Sequence, residues 1–278
     1  VPRITRICQA CGKNFQIERW RLKDPQRGKY CSRECAGRPI CEINEDFFGR
    51  PSLEMAWVLG LLYSDGCFYR GHFSIKSIDK QLLETVRELM ESAYSIRSTE
   101  ETSAGNAMYV LRFRASRLTV TPETWGVIRR KSLRLSYPEK LPNEFAPDFI
   151  RGLSDGDGCV YIAKDNRRKS SYAREWKLLG TQSLLEGVNE RLPISGSLTP
   201  YSKIAKLRVY SVGDLRAVYK FLYYDDGVPC LQRKRDSFWA VVSIGVNDRV
   251  QVDGFEREWH GLQDVSAYER KRHFPSLA

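Results

Sequence analysis

No apolar run in this chain approaches the roughly 20 residues that a membrane-spanning helix needs, and the sequence does not open with the charged-then-apolar pattern of a secretory leader. Neither a membrane partner nor a secreted setting is expected. The expected setting is an intracellular, reducing compartment, with cytoplasm and organelle matrix indistinguishable. The chain neither begins with a nucleophilic Cys or Ser nor ends in His-Asn, so protein splicing lacks its residues and a free-standing protein is expected. Acids are in deficit: 34 Asp and Glu face 45 Lys and Arg, a formal net charge of +11. That excess suits a polyanionic partner, although charge alone does not say which one. Apolar residues are not scarce. At 278 residues, 42% hydrophobic and 12% aromatic, the chain can bury a sizeable core.

One pattern occurs twice. Trp57-Val58-Leu59-Gly60-Leu61-Leu62-Tyr63-Ser64-Asp65-Gly66 returns as Ile150-Arg151-Gly152-Leu153-Ser154-Asp155-Gly156-Asp157-Gly158, each copy ending on an acid and a closing Gly. Each copy reads as an apolar helix, started by Ser52 as N-cap or by Pro147 in the first turn and stopped by Gly66 or Gly158. Small residues recur one turn apart, Gly60 with Ser64 and Gly152 with Gly156, leaving a flat stripe. A helix-interior glycine costs about 1 kcal/mol relative to alanine. Close backbone contact between the two helices would offset it.

Such packing would set Asp65 beside Asp157. Carboxylates at helix C-termini face the negative end of the macrodipole and repel each other, so stability alone would not choose them. Bound divalent cations would, since hard Mg²⁺ takes carboxylate oxygens and is often held by only one or two of them.

On these residues the chain resembles the LAGLIDADG homing endonucleases, in the single-chain form with two motif copies, over about residues 52 to 245. Arg130-Lys131-Ser132-Leu133 and Tyr137-Pro138-Glu139-Lys140-Leu141-Pro142 look like the family's connector, and Leu231-Gln232-Arg233-Lys234 repeats the basic pair. Tyr63 replaces a frequently acidic position. The resemblance implies a catalytic set of Asp65, Asp157, Lys131 and Lys234. Asp65, Asp157, Gly66 and Gly158 would hold Mg²⁺ (or Mn²⁺ or Ca²⁺), and the two lysines would lie near the scissile phosphates. It further implies metal-assisted hydrolysis of one phosphodiester per strand across the minor groove. Short 3′ overhangs would be left within a long, partly degenerate target whose central bases are selected by deformability as well as contact.

The cysteines add a second site. Cys8-x2-Cys11 and Cys31-x3-Cys35 have the spacing of a four-thiolate structural Zn²⁺ site, and a segment of about 40 residues is too small to bury much core without metal. Disulfides are the alternative that a reducing compartment disfavours. Cys41 is a spare thiol that could replace a ligand, and Cys67, Cys159 and Cys230 read as small buried hydrophobes. Residues 1–41 hold ten Lys or Arg against three acids. The module also looks like those appended to intron-encoded and phage nucleases, so it is expected to clamp DNA through phosphates.

The rest follows the repeat as two α+β halves. Phe68-Tyr69 and His72 to Ser77 read as a hairpin around Gly71, and Leu82, Leu83, Val86, Leu89 and Met90 form one face of a helix. Met108 to Arg114 and Lys206 to Tyr210 alternate as strands, and Asp214 is expected to cap a helix running to about Tyr223. One face of each antiparallel sheet must cover the core. The other would carry Tyr69, Arg70, His72, Ser74, Lys76, Arg112 and Arg114 in the first half. In the second it would carry Lys164, Arg167, Arg168, Lys169, Tyr172, Arg174, Lys177, Tyr201, Lys203 and Arg208, a β-ribbon surface suited to the major groove. Aromatic and basic strands with no membrane span favour nucleic acid. Trp259, Leu262 and Tyr268 indicate a helix or strap ahead of the basic Arg270-Lys271-Arg272.

The expected architecture is therefore a zinc-binding basic module (1–41), two LAGLIDADG halves (42–145 and 146–248) whose sheets form a DNA-binding saddle, and a C-terminal extension (249–278) without assigned role. The expected function is a monomeric, site-specific, intron-encoded endonuclease acting on double-stranded DNA. A non-catalytic DNA-binding regulator and a maturase binding intron RNA are the alternatives.

Overall fold

The computed structural model describes residues 2–23, 27–32, 35–36, 42–99, 105, 107–129, 131–164 and 172–243. An antiparallel hairpin, β1 (Arg3–Ile7) with β2 (Asn14–Glu18), opens the chain. The body is organised around two helices. Ser52 caps α1 (Leu53–Ser64), its Oγ accepting the Met55 N–H at 3.1 Å. Every residue from Met55 to Tyr63 is buried, so α1 is apolar all round and is covered on every side. The second motif helix, α3 (Ala146–Asp157), carries Pro147 in its first turn as expected.

The two helices meet backbone to backbone. A Cβ placed on Gly60 would lie 2.3 Å from the Phe149 carbonyl oxygen, and one on Gly152 would lie 2.2 Å from that of Trp57. No side chain fits there, which accounts for glycine at both positions despite its helix cost. Gly66 and Gly158 act differently from expectation. Neither adopts the left-handed conformation of a glycine cap; Gly158 is extended (φ −74°, ψ 151°). Their small size matters instead, because a Cβ would strike the Leu62 or Ser154 carbonyl oxygen at 2.3 or 2.5 Å.

Each motif helix runs directly into a four-stranded antiparallel sheet. The first is ordered β3-β4-β6-β5 from β3 (Gly66–Tyr69), β4 (His72–Ser77), β5 (Arg97–Thr99) and β6 (Met108–Arg114). The second has the matching order β7-β8-β10-β9 from β7 (Cys159–Lys164), β8 (Tyr172–Gly180), β9 (Ser197–Tyr201) and β10 (Ile204–Val209). Equal order in both halves is the duplication made visible. The β3–β4 turn places Arg70 (φ 50°) and Gly71 (φ 74°) in the left-handed region, the pair a tight hairpin with right-handed twist requires.

After the second strand of each half comes an amphipathic helix, α2 (Lys80–Leu89) or α4 (Gln182–Arg191). Leu82, Leu83, Val86 and Met90 are buried, with Leu89 packed at the edge. The halves then diverge. The first continues through 3-10 turns at Pro122–Trp125 and Lys131–Leu133. The second has α5 (Val212–Leu222) and α6 (Gln232–Ser243). Ser211, rather than Asp214, caps α5: its Oγ accepts the Asp214 N–H, while Asp214 Oδ2 accepts from the Ser211 hydroxyl.

Two polar links matter to the site. Arg233 on α6 makes a forked pair with Asp79 at the start of α2, its Nη2 and Nε 2.7 and 3.0 Å from the carboxylate oxygens, tying the halves together. Arg151, fully buried on α3, donates to the Pro229 and Leu222 carbonyls and to Asp148. It holds the loop before α6 in place. Among the described residues no helix is long and apolar enough to cross a membrane. The readings of Arg167, Arg168, Lys169, Cys41 and 249–278 fall outside the described residues.

Candidate functional site

Asp65 is the C-cap of α1 and Asp157 the last residue of α3, so both acids end the helices whose glycines touch. Both are half-buried. A Cβ on Gly156 would stand 3.3 Å from Asp65 Oδ2, and the Lys234 ammonium lies within charge–charge reach of Asp65 and Asp157 together. The acid that ends α1 thus lies beside the last turn of α3. In both halves the sequence runs on as Asp-Gly-Cys-x-Tyr, Asp65 to Tyr69 and Asp157 to Tyr161, carrying the chain from the acid onto the polar face of the sheet.

The two lysines occupy equivalent posts. Lys131 Nζ donates to the carbonyls of Tyr63 and Ser64 at the end of α1. Lys234 Nζ donates to the carbonyls of Ser154, Gly156 and Gly158 at 2.8, 2.9 and 2.9 Å, at the end of α3. Neither helix has a basic residue in its own last turn. A cation there contributes about 1 to 2 kcal/mol in a partly buried setting. Burial pushes the Lys234 ammonium below its usual range, Asp155 pulls it back, Arg233 lowers it further, and Asp65 and Asp157 raise it.

Asp155 had no role in the sequence reading. It is buried, and its Oδ2 accepts the Trp57 indole N–H at 2.8 Å and the Leu231 N–H at 3.0 Å. It therefore pins α1, α3 and the N-terminus of α6, where Lys234 sits. Burial raises its carboxyl above the usual range, against the opposing pull of the Trp57 N–H and Lys234. The matching residue in the first half, Tyr63, instead donates to the Trp125 carbonyl at 2.7 Å. The two centres are similar in outline and different in their support.

The residues at the helix ends suit a hard divalent cation: two adjacent carboxylates, with backbone carbonyls beside them. The N-terminal cysteines suit zinc. The Sγ atoms of Cys8, Cys11, Cys31 and Cys35 all lie within 4.8 Å of one another, close enough for one tetrahedral ion. Gly12 (φ 70°) closes the first turn and donates to the Cys8 carbonyl at 3.0 Å, and the Gln9 N–H to Lys29 carbonyl bond joins the two turns. Burial works against a thiolate at Cys8, yet N–H donors from Cys11, Cys31 and Ala10 outweigh it and bring Cys8 down to about 6. Cys31 is pushed up to about 12 by hydrogen bonds with the Cys11, Cys35 and Cys8 thiols.

On the sheets, side-chain parity sorts the remaining candidates. Tyr69, His72, Lys76, Arg112 and Arg114 share the polar face of the first sheet. Arg70, exposed, sits in the adjoining turn. Ser74 shares that face but is 6% exposed, lying opposite Cys67 and Arg112 in register. In the second sheet Lys177, Arg208 and exposed Tyr201 lie on the polar face, with Lys203 in the β9–β10 turn. Arg174 does not. It shares parity with Trp176 and Leu178, both in the core, and is 8% exposed. Lys164 and Tyr172 pair at the far end of β7–β8. Two basic residues on the polar faces were missed: Arg97, opposite Val110, and Lys206, whose ammonium lies 4.1 Å from the Tyr201 ring centre. The same alternation that flagged Arg112 and Arg208 would have found them. Cys67 is exposed and Cys159 and Cys230 are half-buried, because Cys67 and Cys159 fall on the polar parity rather than in the core.

No family model and no curated protein matches the chain. Solved structures do, LAGLIDADG proteins among them. The chain is 14% identical to the LAGLIDADG meganuclease I-AabMI bound to uncleaved DNA, over 67% of this chain and 89% of that one, at a TM-score of 0.47. It is 12% identical to the I-LtrWI LAGLIDADG homing endonuclease bound to target DNA, over 69% and 89%, at 0.49. It is 14% identical to the N-terminal LAGLIDADG domain of DUF199/WhiA, over 70% and 93%, at 0.42.

Proposed function

We propose that this chain is a single-chain, two-motif endonuclease of the LAGLIDADG type, cutting both strands of duplex DNA at one long site. The observation that carries the reading is the pair of acids at the ends of two glycine-packed helices, both within reach of one ammonium. An arrangement that stability opposes calls for a cation, and one that is duplicated calls for two strands. Asp65 and Asp157 would hold Mg²⁺, which supplies Lewis-acid activation of water and neutralises charge at the departing 3′-oxygen. Gly60 and Gly152 set the spacing of the acids, and Lys131 and Lys234 balance the charge at the helix ends.

The two basic sheet faces supply the surface for about two successive stretches of major groove. Arg97, Arg112, Arg114, Lys76, Lys177 and Arg208 are its cations. The N-terminal module, stapled by zinc on its four cysteines, would clamp flanking phosphates. A chain starting near Ile43 should then cut at the same position but bind more weakly, with a shallower salt dependence. An unchanged salt slope would leave the module structural only. Intron encoding and monomeric action complete the reading.

The test is strand-resolved cleavage by single-acid variants. Asp65→Asn and Asp157→Asn should each abolish double-strand cutting while binding DNA as the parent does. Unchanged cutting by either variant would sink the assignment. Binding without cutting in the parent itself would instead favour a DNA-binding regulator on the same fold.

A further inference from the structure

The N-terminal module buries little: among its described residues only Cys8 is buried. Its largest apolar side chain, Trp20, stands 51% exposed in the 3-10 turn Arg19–Lys23, which has no buried residue. A surface that meets only phosphates needs cations, and an indole adds nothing to that contact. Two segments build a pocket around the ring. The 3-10 turn follows directly from β2, and the loop at 27–29 is brought back against it. At Gly28 (φ 76°) a Cβ would stand 2.8 Å from Leu22 Cδ2 and 3.1 Å from Ile17 Cδ1, and the Gln9 N–H donates to the Lys29 carbonyl at 2.9 Å. Trp20, Arg21, Lys23 and Arg27 line the result, a pocket of about 370 Å³ that opens to solvent. Arg21 is held in it twice, its Nε 3.3 Å from Glu18 Oε2 and its guanidinium carbon 5.3 Å from the indole centre. All four lining side chains are hydrogen-bond donors, grouped about one flat aromatic face. A ligand that matches them carries a flat ring of its own with anionic acceptors beside it.

We propose that Trp20, Arg21, Lys23 and Arg27 form a site for an unpaired nucleotide of single-stranded DNA, its base stacked on the indole and its phosphates taken by the three cations. Residues 1–41, with ten Lys or Arg against three acids, supply the matching charge. Stacking on an aromatic side chain needs a base that is out of the duplex, whereas a clamp on phosphates takes duplex and single strand alike. The two uses of the module are therefore separable. DNA is chosen over RNA because both sheets of the chain carry a surface suited to duplex DNA, and for that choice alone the proposal rests on the nuclease reading.

The test is binding of a labelled oligothymidylate to the full chain, followed by fluorescence anisotropy over a range of salt. Trp20→Ala should weaken that binding about tenfold and leave the salt slope unchanged, because no cation is lost. It should bind duplex DNA of mixed sequence as the parent does. Trp20→Phe, which keeps an aromatic face, should retain most of the single-strand affinity. Lys23→Ala should give the opposite signature, a shallower salt slope on both ligands. Should Trp20→Ala fail to fold, Trp20→Leu removes the aromatic face and keeps apolar bulk, and the same loss is expected. No loss on oligothymidylate, an equal loss on duplex, or tighter binding of oligouridylate than of oligothymidylate overturns the proposal. Neither cleavage nor a target sequence enters the measurement, so its failure is distinct from a failure of the nuclease reading.

Discussion

Gly152→Ala puts the helix interface under direct load. The new Cβ would stand 2.2 Å from the Trp57 carbonyl oxygen, against 3.4 Å for an ordinary contact. The helices must therefore part by roughly 1 Å, losing close contacts along their shared length. Alanine returns about 1 kcal/mol of helix propensity, whereas overpacking costs about 1 to 3 kcal/mol and rises where the neighbour is backbone that cannot rotate away. The steric effect wins. A net loss of about 2 kcal/mol is expected, or roughly 4 to 8 °C in melting temperature. Separating Asp65 from Asp157 by that distance should slow cleavage about 100-fold. Urea unfolding and single-turnover cleavage check both. Gly213→Ala is the control, since its nearest neighbour, Ser211 Oγ, is 4.0 Å away; it should be neutral or slightly stabilising. A Gly152→Ala protein more stable than the parent would refute the backbone-to-backbone packing.

Zinc binding should release protons: Cys31 and Cys35 are raised, so their protons must leave when the thiols ligate, and zinc affinity should climb with pH. Cys8, at about 6, is already largely thiolate above pH 7 and should contribute to that climb only below it; calorimetry in buffers of different ionisation enthalpy checks this, and pH-independent binding would refute it. Arg97→Ala and Lys206→Ala should each weaken DNA binding and reduce the salt slope by about 1 without moving the cut, while Arg174→Ala should act through stability, as seen in a thermal melt. Arg151→Met should cost about 3 kcal/mol or more, because Asp148, raised by burial, would lose the guanidinium that opposes that rise; urea unfolding reads it.

The two motif helices and the cysteine cluster were legible because each rests on local pattern: a repeated string, a cap, a spacing. The strands were legible too, by alternation. What alternation did not give was the phase of each strand against its neighbours. Arg174 is basic and lies in a basic stretch, yet its parity is that of Trp176, so it turns to the core side. Ser74 has the right parity but is nearly buried, opposite Cys67 and Arg112 in register. The glycine stop at Gly66 and Gly158 was right in place and wrong in cause, since a close carbonyl rather than a left-handed turn excludes the side chain. The lysine geometry lay beyond sequence, because Lys131 and Lys234 meet helix ends from far along the chain.

The central claim is duplex cleavage at one site by two acids. Selection of cleaved molecules from a randomised double-stranded library in Mg²⁺ tests it most directly. The account predicts enrichment of one long, partly degenerate sequence, cut on both strands to leave short 3′ overhangs, and lost on changing Asp65 or Asp157. Recovery of no cleaved product, or of product that survives both changes, would contradict it.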